Sequence, residues 1–300
     1  MDFVTWTNAY KVGVPFVDSD HKILVDLINQ ANACIDKRAE SAMLASVLGT
    51  LFDYTEYHFS REEKLMELAG YDGLETHKLI HRSLAGQVYE IDLRFRKNPD
   101  NISAKEVRDF LNSWLLEHIS GHDFEYRDTC LNNKAAREQA GAIRFMEDER
   151  IHNGVGDFSN LSVMVVDDNR NFLRLVETIL KALGIRRVQL EQNPTMAFDT
   201  LLRRPVDLVF CDWVMEEMNG AEFAQQVKDM NLPTKVVLLT GYSIETLRTR
   251  SSSDAIEGYL EKPITVKTCS IRFLRSQSIS RFRGFCSCSI LQLAPDRGVV

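Results

Sequence analysis

The 300-residue chain predicts two folds in series, an all-α four-helix bundle followed by an α/β doubly wound domain built on a parallel sheet. Its length exceeds the roughly 100 to 200 residues usual for one domain. Up to about residue 133, apolar residues recur at intervals of three and four over segments of several turns, the rhythm of amphipathic helices. From residue 161 onward short apolar runs alternate with helical patterns, as in a parallel sheet covered on both faces.

Four segments carry the first rhythm: HKILVDLINQANACI, MLASVLGTLFDYTEYHFSREEKLMELAG, LETHKLIHRSLAGQVYEIDLRFRKN and SAKEVRDFLNSWLLEHISGHDFEYRD. Gly70 is a helix stop, NPDN at 98–101 breaks the third segment, and Ser103 with Glu106 forms a capping box for the fourth. The second rhythm has strands in VMVV, VDLVFC, KVVLL and GYL, with helices in FLRLVETILKAL (ended by Gly184), PTMAFDTLLRR and GAEFAQQVKDM. The segment 134–160 joins the halves, helical at its start, with Gly154 and Gly156 marking a hinge. The predicted units are a bundle at 1–133, a linker at 134–160, a sheet domain at 161–266 and an atypical tail at 267–300.

Composition narrows the function. The chain is 44% hydrophobic and 26% charged, enough to bury cores, and its net charge of −7 excludes the basic footprint of a nucleic-acid binder. No run approaches the ~20 apolar residues of a membrane span, and the start lacks a leader pattern, which predicts a cytoplasmic protein. Cys34, Cys130 and Cys211 are widely separated and no CxxC pair occurs, in keeping with a reducing compartment. The tail differs from everything before it. From Cys269 onward it holds six serines, five arginines and half of the six cysteines, with Asp296 as its one acid, and it reads as an altered end with a short last helix and a disordered tail, or as a basic membrane-surface or partner-binding segment.

Seven histidines are few for this length, and five of them fall into a pattern. His58 and Glu62 stand at i, i+4, as do His77 and His81 on the next helix; His118 and Asp123 lie on the fourth helix and His21 at the start of the first. Imidazole and carboxylate donors together suit iron, zinc or manganese, and seven ligands are too many for one tetrahedral ion, so a pair of metals is the economical reading. His122 and His152 stand outside the pattern. The ligand series, with VGVPFVDSDHKILVDLIN, YHFSREEKLM and WLLEHI flanking it, resembles the bacterial hemerythrins. That resemblance implies a non-haem di-iron centre in which Glu62 and Asp123 bridge two irons, five histidines cap them three to one and two to the other, and one position stays open for O2. Phe59, Trp114 and Leu115 would line the pocket.

In the second half, Asp167 and Asp168 end one strand, Asp212 a second and Thr240 a third, and Lys262 follows the last. The carboxyl ends of parallel strands face one crevice, so these five residues converge. Clustered carboxylates call for a hard cation such as Mg2+, while lysine and threonine suit a phosphoryl group. Neither GxxxxGK nor a GxGxxG after the first strand is present, which disfavours a nucleotide. The region resembles the receiver domain of two-component response regulators, a flavodoxin-like fold with a five-stranded sheet. The resemblance implies Asp212 as phosphoacceptor, Asp167, Asp168, Asp212 and the Val214 carbonyl around Mg2+, Thr240 and Lys262 on the phosphoryl group, and Tyr259 as a switch aromatic. Glu216 stands where that family commonly has proline.

Together the two resemblances imply a phosphorelay signalling protein responsive to oxygen or redox state, taking its phosphoryl group from a histidine kinase and passing a signal to a protein partner. Oligomerisation is left open. The alternatives are a di-iron peroxidase or scavenger enzyme, and a histidine phosphotransfer bundle joined to a receiver.

Overall fold

The computed structural model describes residues 2–35, 41–143, 145, 158–244, 247 and 254–269. The proposed glycine hinge and the tail from residue 270 onward lie outside them. The first half is a helical bundle of α1 (Pro15–Ala33), α2 (Ser41–Ala69), α3 (Leu74–Lys97) and α4 (Ala104–Glu117). Pro15 opens α1, where a missing N–H costs nothing, and Asp18 turns back to accept from the N–H groups of Val12 and Gly13. Gly70, with φ +72°, ends α2, and the Tyr71 N–H returns to the Met66 carbonyl. At α4 the expected capping box is half formed. Ser103 accepts from the Glu106 N–H, but the Glu106 carboxylate is drawn away to Arg94 at 3.1 Å.

The fourth helix departs from α geometry where its ligand candidates lie. Residues His118–Asp123 form a π-helical segment before α5 (Phe124–Leu131) resumes. A π turn bonds i to i+5, so the five-residue step from His118 to Asp123 places both on one face, which an α-helix would not do. A further helix, α6 (Lys134–Ala142), capped by Asn133, buries Ala136 and Ala140 against the bundle.

The second half is an all-parallel sheet in the order β2 (Arg187–Glu191), β1 (Ser162–Val166), β3 (Leu208–Asp212), β4 (Lys235–Thr240) and β5 (Gly258–Glu261). Alternation divides its core: Val163, Val165, Leu208, Phe210, Val237 and Leu239 face α7 (Arg170–Ala182). Met164, Val166, Val209, Cys211, Val236 and Leu238 face α8 (Pro194–Arg203) and α9 (Gly220–Asp229). Gly184, with φ +84°, ends the α7 turn as expected. The outer face of α7 is covered by α1 and α2, so the core on that side runs without a break from sheet to bundle. Among the described residues, no helix is long and apolar enough to cross a membrane.

Candidate functional site

All seven candidate ligands of the bundle meet in its interior, each at most 2% exposed. One donor atom each from Glu62, His77, His81 and His118 lie within 4.8 Å of one another, and so do donors of His21, His58 and Glu62. Glu62 belongs to both groups. Asp123 also spans them, with Oδ2 3.2 Å from His21 Nε2 and Oδ1 3.1 Å and 3.5 Å from the Nε2 atoms of His118 and His77. The arrangement is three histidines on one side, two on the other and two carboxylates between.

The donor set fits cations. Both nitrogens of His21 and His58, Glu62 Oε2 and both Asp123 oxygens are buried without a hydrogen-bond partner. Such groups are costly unless something satisfies them, and positive charge at the centre would satisfy the carboxylate oxygens and the Nε2 atoms of His21 and His58 that face them. The electrostatics agree. Burial opposes charge on His21, yet attraction from Asp123 and Glu62 raises it to about 10, so a proton is held among the carboxylates. Burial depresses His77 to about 4 and also lowers His118, which favours their neutral imidazole forms. Burial and the charge of Glu62 push Asp123 up to about 6. Cations entering here would displace protons.

Around these donors is a supporting layer that the sequence alone did not single out. Glu63 Oε1 lies 2.9 Å from His81 Nδ1, Tyr126 donates its hydroxyl to Glu62 Oε1, and Asp20 Oδ2 faces His58 Nδ1 at 3.6 Å. Asp20 is in turn held by Arg61 at 2.7 and 2.9 Å and by the Tyr54 hydroxyl at 2.8 Å. Adjacent acids beside His21 and Glu62 were the available signal. Partners of this kind fix ring orientation and raise ligand basicity. Phe59 stacks on His81 at 3.8 Å and Trp114 lies parallel to His118 at 6.3 Å; these two and the buried Leu115 form an apolar wall. His122 is half-buried beside His118, and His152 lies outside the described residues.

The second site lies at the carboxyl ends of β1, β3, β4 and β5. Lys262 Nζ sits 2.9 Å from Asp212 Oδ1 and 3.3 Å from Asp167 Oδ2, above the Phe172 ring at 3.8 Å. Asp212 Oδ2 accepts from the Val214 N–H and Asp167 Oδ1 from the Asn169 N–H. Burial raises both carboxyls, Asp167 to about 6, while Lys262 opposes the rise. Asp168 is exposed at the rim, and Thr240 is buried with its hydroxyl bonded to the Tyr242 backbone. Tyr259 is half-buried beside the α8 and α9 core. Gly220 is required here, since a Cβ would stand 2.5 Å from the Asp212 carbonyl oxygen.

Comparison with known proteins agrees with both halves. Residues 12–130 match the hemerythrin HHE cation binding domain and residues 163–271 the response regulator receiver domain. A bacteriohemerythrin of Stenotrophomonas maltophilia is 32% identical over 144 residues, which are 47% of this chain and 92% of that protein. One from Pseudomonas aeruginosa is 35% identical over 128 residues, 43% of this chain and 82% of its own length. Among solved structures, the chemotaxis protein CheY4 of Vibrio cholerae aligns with 39% of this chain and 98% of its own, at 22% identity and a TM-score of 0.36. The chain belongs to the hemerythrin family through its N-terminal half, and carries a response regulator receiver domain behind it.

Proposed function

We propose that the protein is a cytoplasmic two-component signalling protein that binds O2, or reports redox state, at a di-iron centre and accepts a phosphoryl group on Asp212 from a histidine kinase. The observation that carries this reading is the co-occurrence, in one chain, of the two histidine groups sharing Glu62 and the lysine-clamped pair Asp167 and Asp212. Iron held by His21, His58, Glu62, His77, His81, His118 and Asp123 would supply affinity for a small ligand such as O2 and a change of oxidation state. The chain's own residues do the rest. Glu62 and Asp123 offset positive charge between the histidine groups, Tyr126 and Glu63 hold Glu62 and His81 in place, and Phe59, Trp114 and Leu115 exclude water.

In the receiver, an Asp212 oxygen attacks the phosphorus of a phosphohistidine; the P–N bond breaks, a P–O bond forms, and the imidazole leaves. Lys262 already lies against the acceptor oxygen and offsets the added charge. Asp167, Asp168 and the Val214 carbonyl would hold Mg2+, and the Thr240 hydroxyl would turn from the Tyr242 backbone toward the phosphoryl group, with Tyr259 filling behind it.

Burial of all five patterned histidines argues against a phosphotransfer bundle, which needs an exposed imidazole. The test is intact-mass analysis after acetyl phosphate with Mg2+, beside iron quantification. One phosphoryl adduct, lost in Asp212→Asn, together with bound iron, lost in His58→Ala, is expected. Absence of either property in the native chain overturns the reading.

A further inference from the structure

The receiver and the bundle share a contact that neither site explains. Directly after Lys262 the chain runs onto α2. The Ile264 N–H donates to Ser46 Oγ at 2.9 Å, a buried bond, while the same hydroxyl donates to the Ala42 carbonyl. The Lys267 N–H donates to Asp53 Oδ2 at 3.1 Å, so a bundle carboxylate caps the first turn that follows Thr265. Between them, Gly49 makes room for the Thr265 side chain, since a Cβ there would stand 2.6 Å from Thr265 Cγ2. Ile264, Val266 and Cys269 are buried in the same continuous core as Leu44, Val47, Leu48 and Leu51 of α2. Ser46, Gly49 and Asp53 therefore make one stripe of α2 fitted to residues 264–267.

That helix also carries His58 and Glu62. Asp53 precedes His58 by five residues, about 7.5 Å along the axis at ~1.5 Å per residue, and α2 runs unbroken from Ser41 to Ala69. At the other end of the contact, Ile264 is two residues from Lys262, whose ammonium is tied to Asp212 and Asp167. One helix thus touches the loop that follows Lys262 and holds two donors of the metal centre.

We infer that the α2 stripe Ser46, Gly49 and Asp53 is the docking surface through which the two sites act on each other, residues 264–267 being its partner. The inference rests on the proposed function and deepens it by naming the route. Phosphorylation of Asp212 adds charge beside Lys262 and draws its ammonium to the phosphoryl oxygens. The backbone that follows shifts against Ser46 and Asp53, and the docked state is weakened. By linkage, whatever state of the centre moves α2 changes the ease of phosphorylation by the same factor that phosphorylation changes affinity at the centre.

Hydrogen–deuterium exchange on the full chain tests this, in iron-loaded protein with and without acetyl phosphate and Mg2+. Segments 42–56 and 262–269 are expected to exchange at least about 5-fold faster after phosphorylation, the lower end of common coupling factors. In Gly49→Leu, which crowds the contact, and in the milder Ser46→Ala, they should exchange fast in both states, with iron still bound and phosphoryl uptake at least as fast as in the native chain, as reciprocity requires. Fully phosphorylated, iron-loaded protein with unchanged exchange in both segments overturns the inference and leaves the proposed function standing. Failure to take up iron or phosphoryl overturns both.

Discussion

Replacing Arg61 by methionine removes the positive half of an ion pair that is almost dry. Asp20 is 3% and Arg61 6% exposed, and the guanidinium gives Asp20 two hydrogen bonds, at 2.7 and 2.9 Å. After substitution the carboxylate keeps the Tyr54 hydroxyl as its hydrogen-bond donor, with His58 Nδ1 3.6 Å away. Breaking such a pair from one side costs about 3–5 kcal/mol, because the remaining charge is buried without compensation. The guanidinium also lies over Phe16 and Tyr57, at 4.4 and 4.9 Å, contacts that methionine replaces only in part. At roughly 2–4 °C per kcal/mol for a larger domain, the melting point should fall by about 6–20 °C. Urea unfolding of metal-free protein in EDTA gives the free energy directly. The paired variant Asp20→Asn with Arg61→Met removes both charges and should recover most of the loss. A single-variant loss under about 1 kcal/mol, or a double variant no better than Arg61→Met, would refute the claim that an uncompensated charge is the cause.

Other consequences follow from the same geometry. Glu63→Ala leaves His81 Nδ1 without its carboxylate and should weaken iron binding about 10- to 100-fold in a competitive chelator titration, with little change in metal-free stability. Gly220→Ala forces a Cβ against the Asp212 carbonyl and should cost about 1–3 kcal/mol in urea unfolding while slowing phosphoryl uptake. Asp167 holds its proton up to about pH 6 in the fold against 3.8 in its ordinary state, burial being the main cause. The folded form therefore binds the proton more tightly, and this group's contribution is present below about pH 4 and lost as pH rises through about 6. Asp167→Asn in EDTA should thus gain relative to the native chain across that window, by up to about 3 kcal/mol at pH 7, less what is lost with the Lys262 contact. A difference between the two proteins that does not vary from pH 4 to 7 would contradict this.

Periodicity was enough for the long helices, which each bury one face, and Gly70 and Gly184 end theirs where φ turns positive. Short apolar runs marked β1, β3, β4 and β5, the first three of them buried on both faces, but β2, the half-buried edge strand RVQLE, has no such run and was not legible from its residues. The histidine pattern was legible because i, i+4 pairs need only a regular helix. The step from His118 to Asp123 was not explicable in that way; it depends on a π segment that no periodicity announces. Arg61 and Asp20 are 41 positions apart, and nothing local says that they meet. The close approach of the two halves left a fainter trace, in Ala42, Ala45, Ser46 and Gly49, small residues on a helix otherwise rich in large ones. The capping box at Ser103 failed on its acidic arm because Arg94 on the neighbouring helix attracts Glu106 more strongly than a neutral N–H does.

The measurement that bears most directly on the central claim is anaerobic iron(II) loading of the full chain, followed by absorption spectra before and after a pulse of oxygen. The account predicts about two irons per chain, the number a five-histidine, two-carboxylate set can hold, and new visible absorption on exposure to oxygen, both lost in His58→Ala. A chain that binds no iron, or binds it without any spectral response to oxygen, would contradict it.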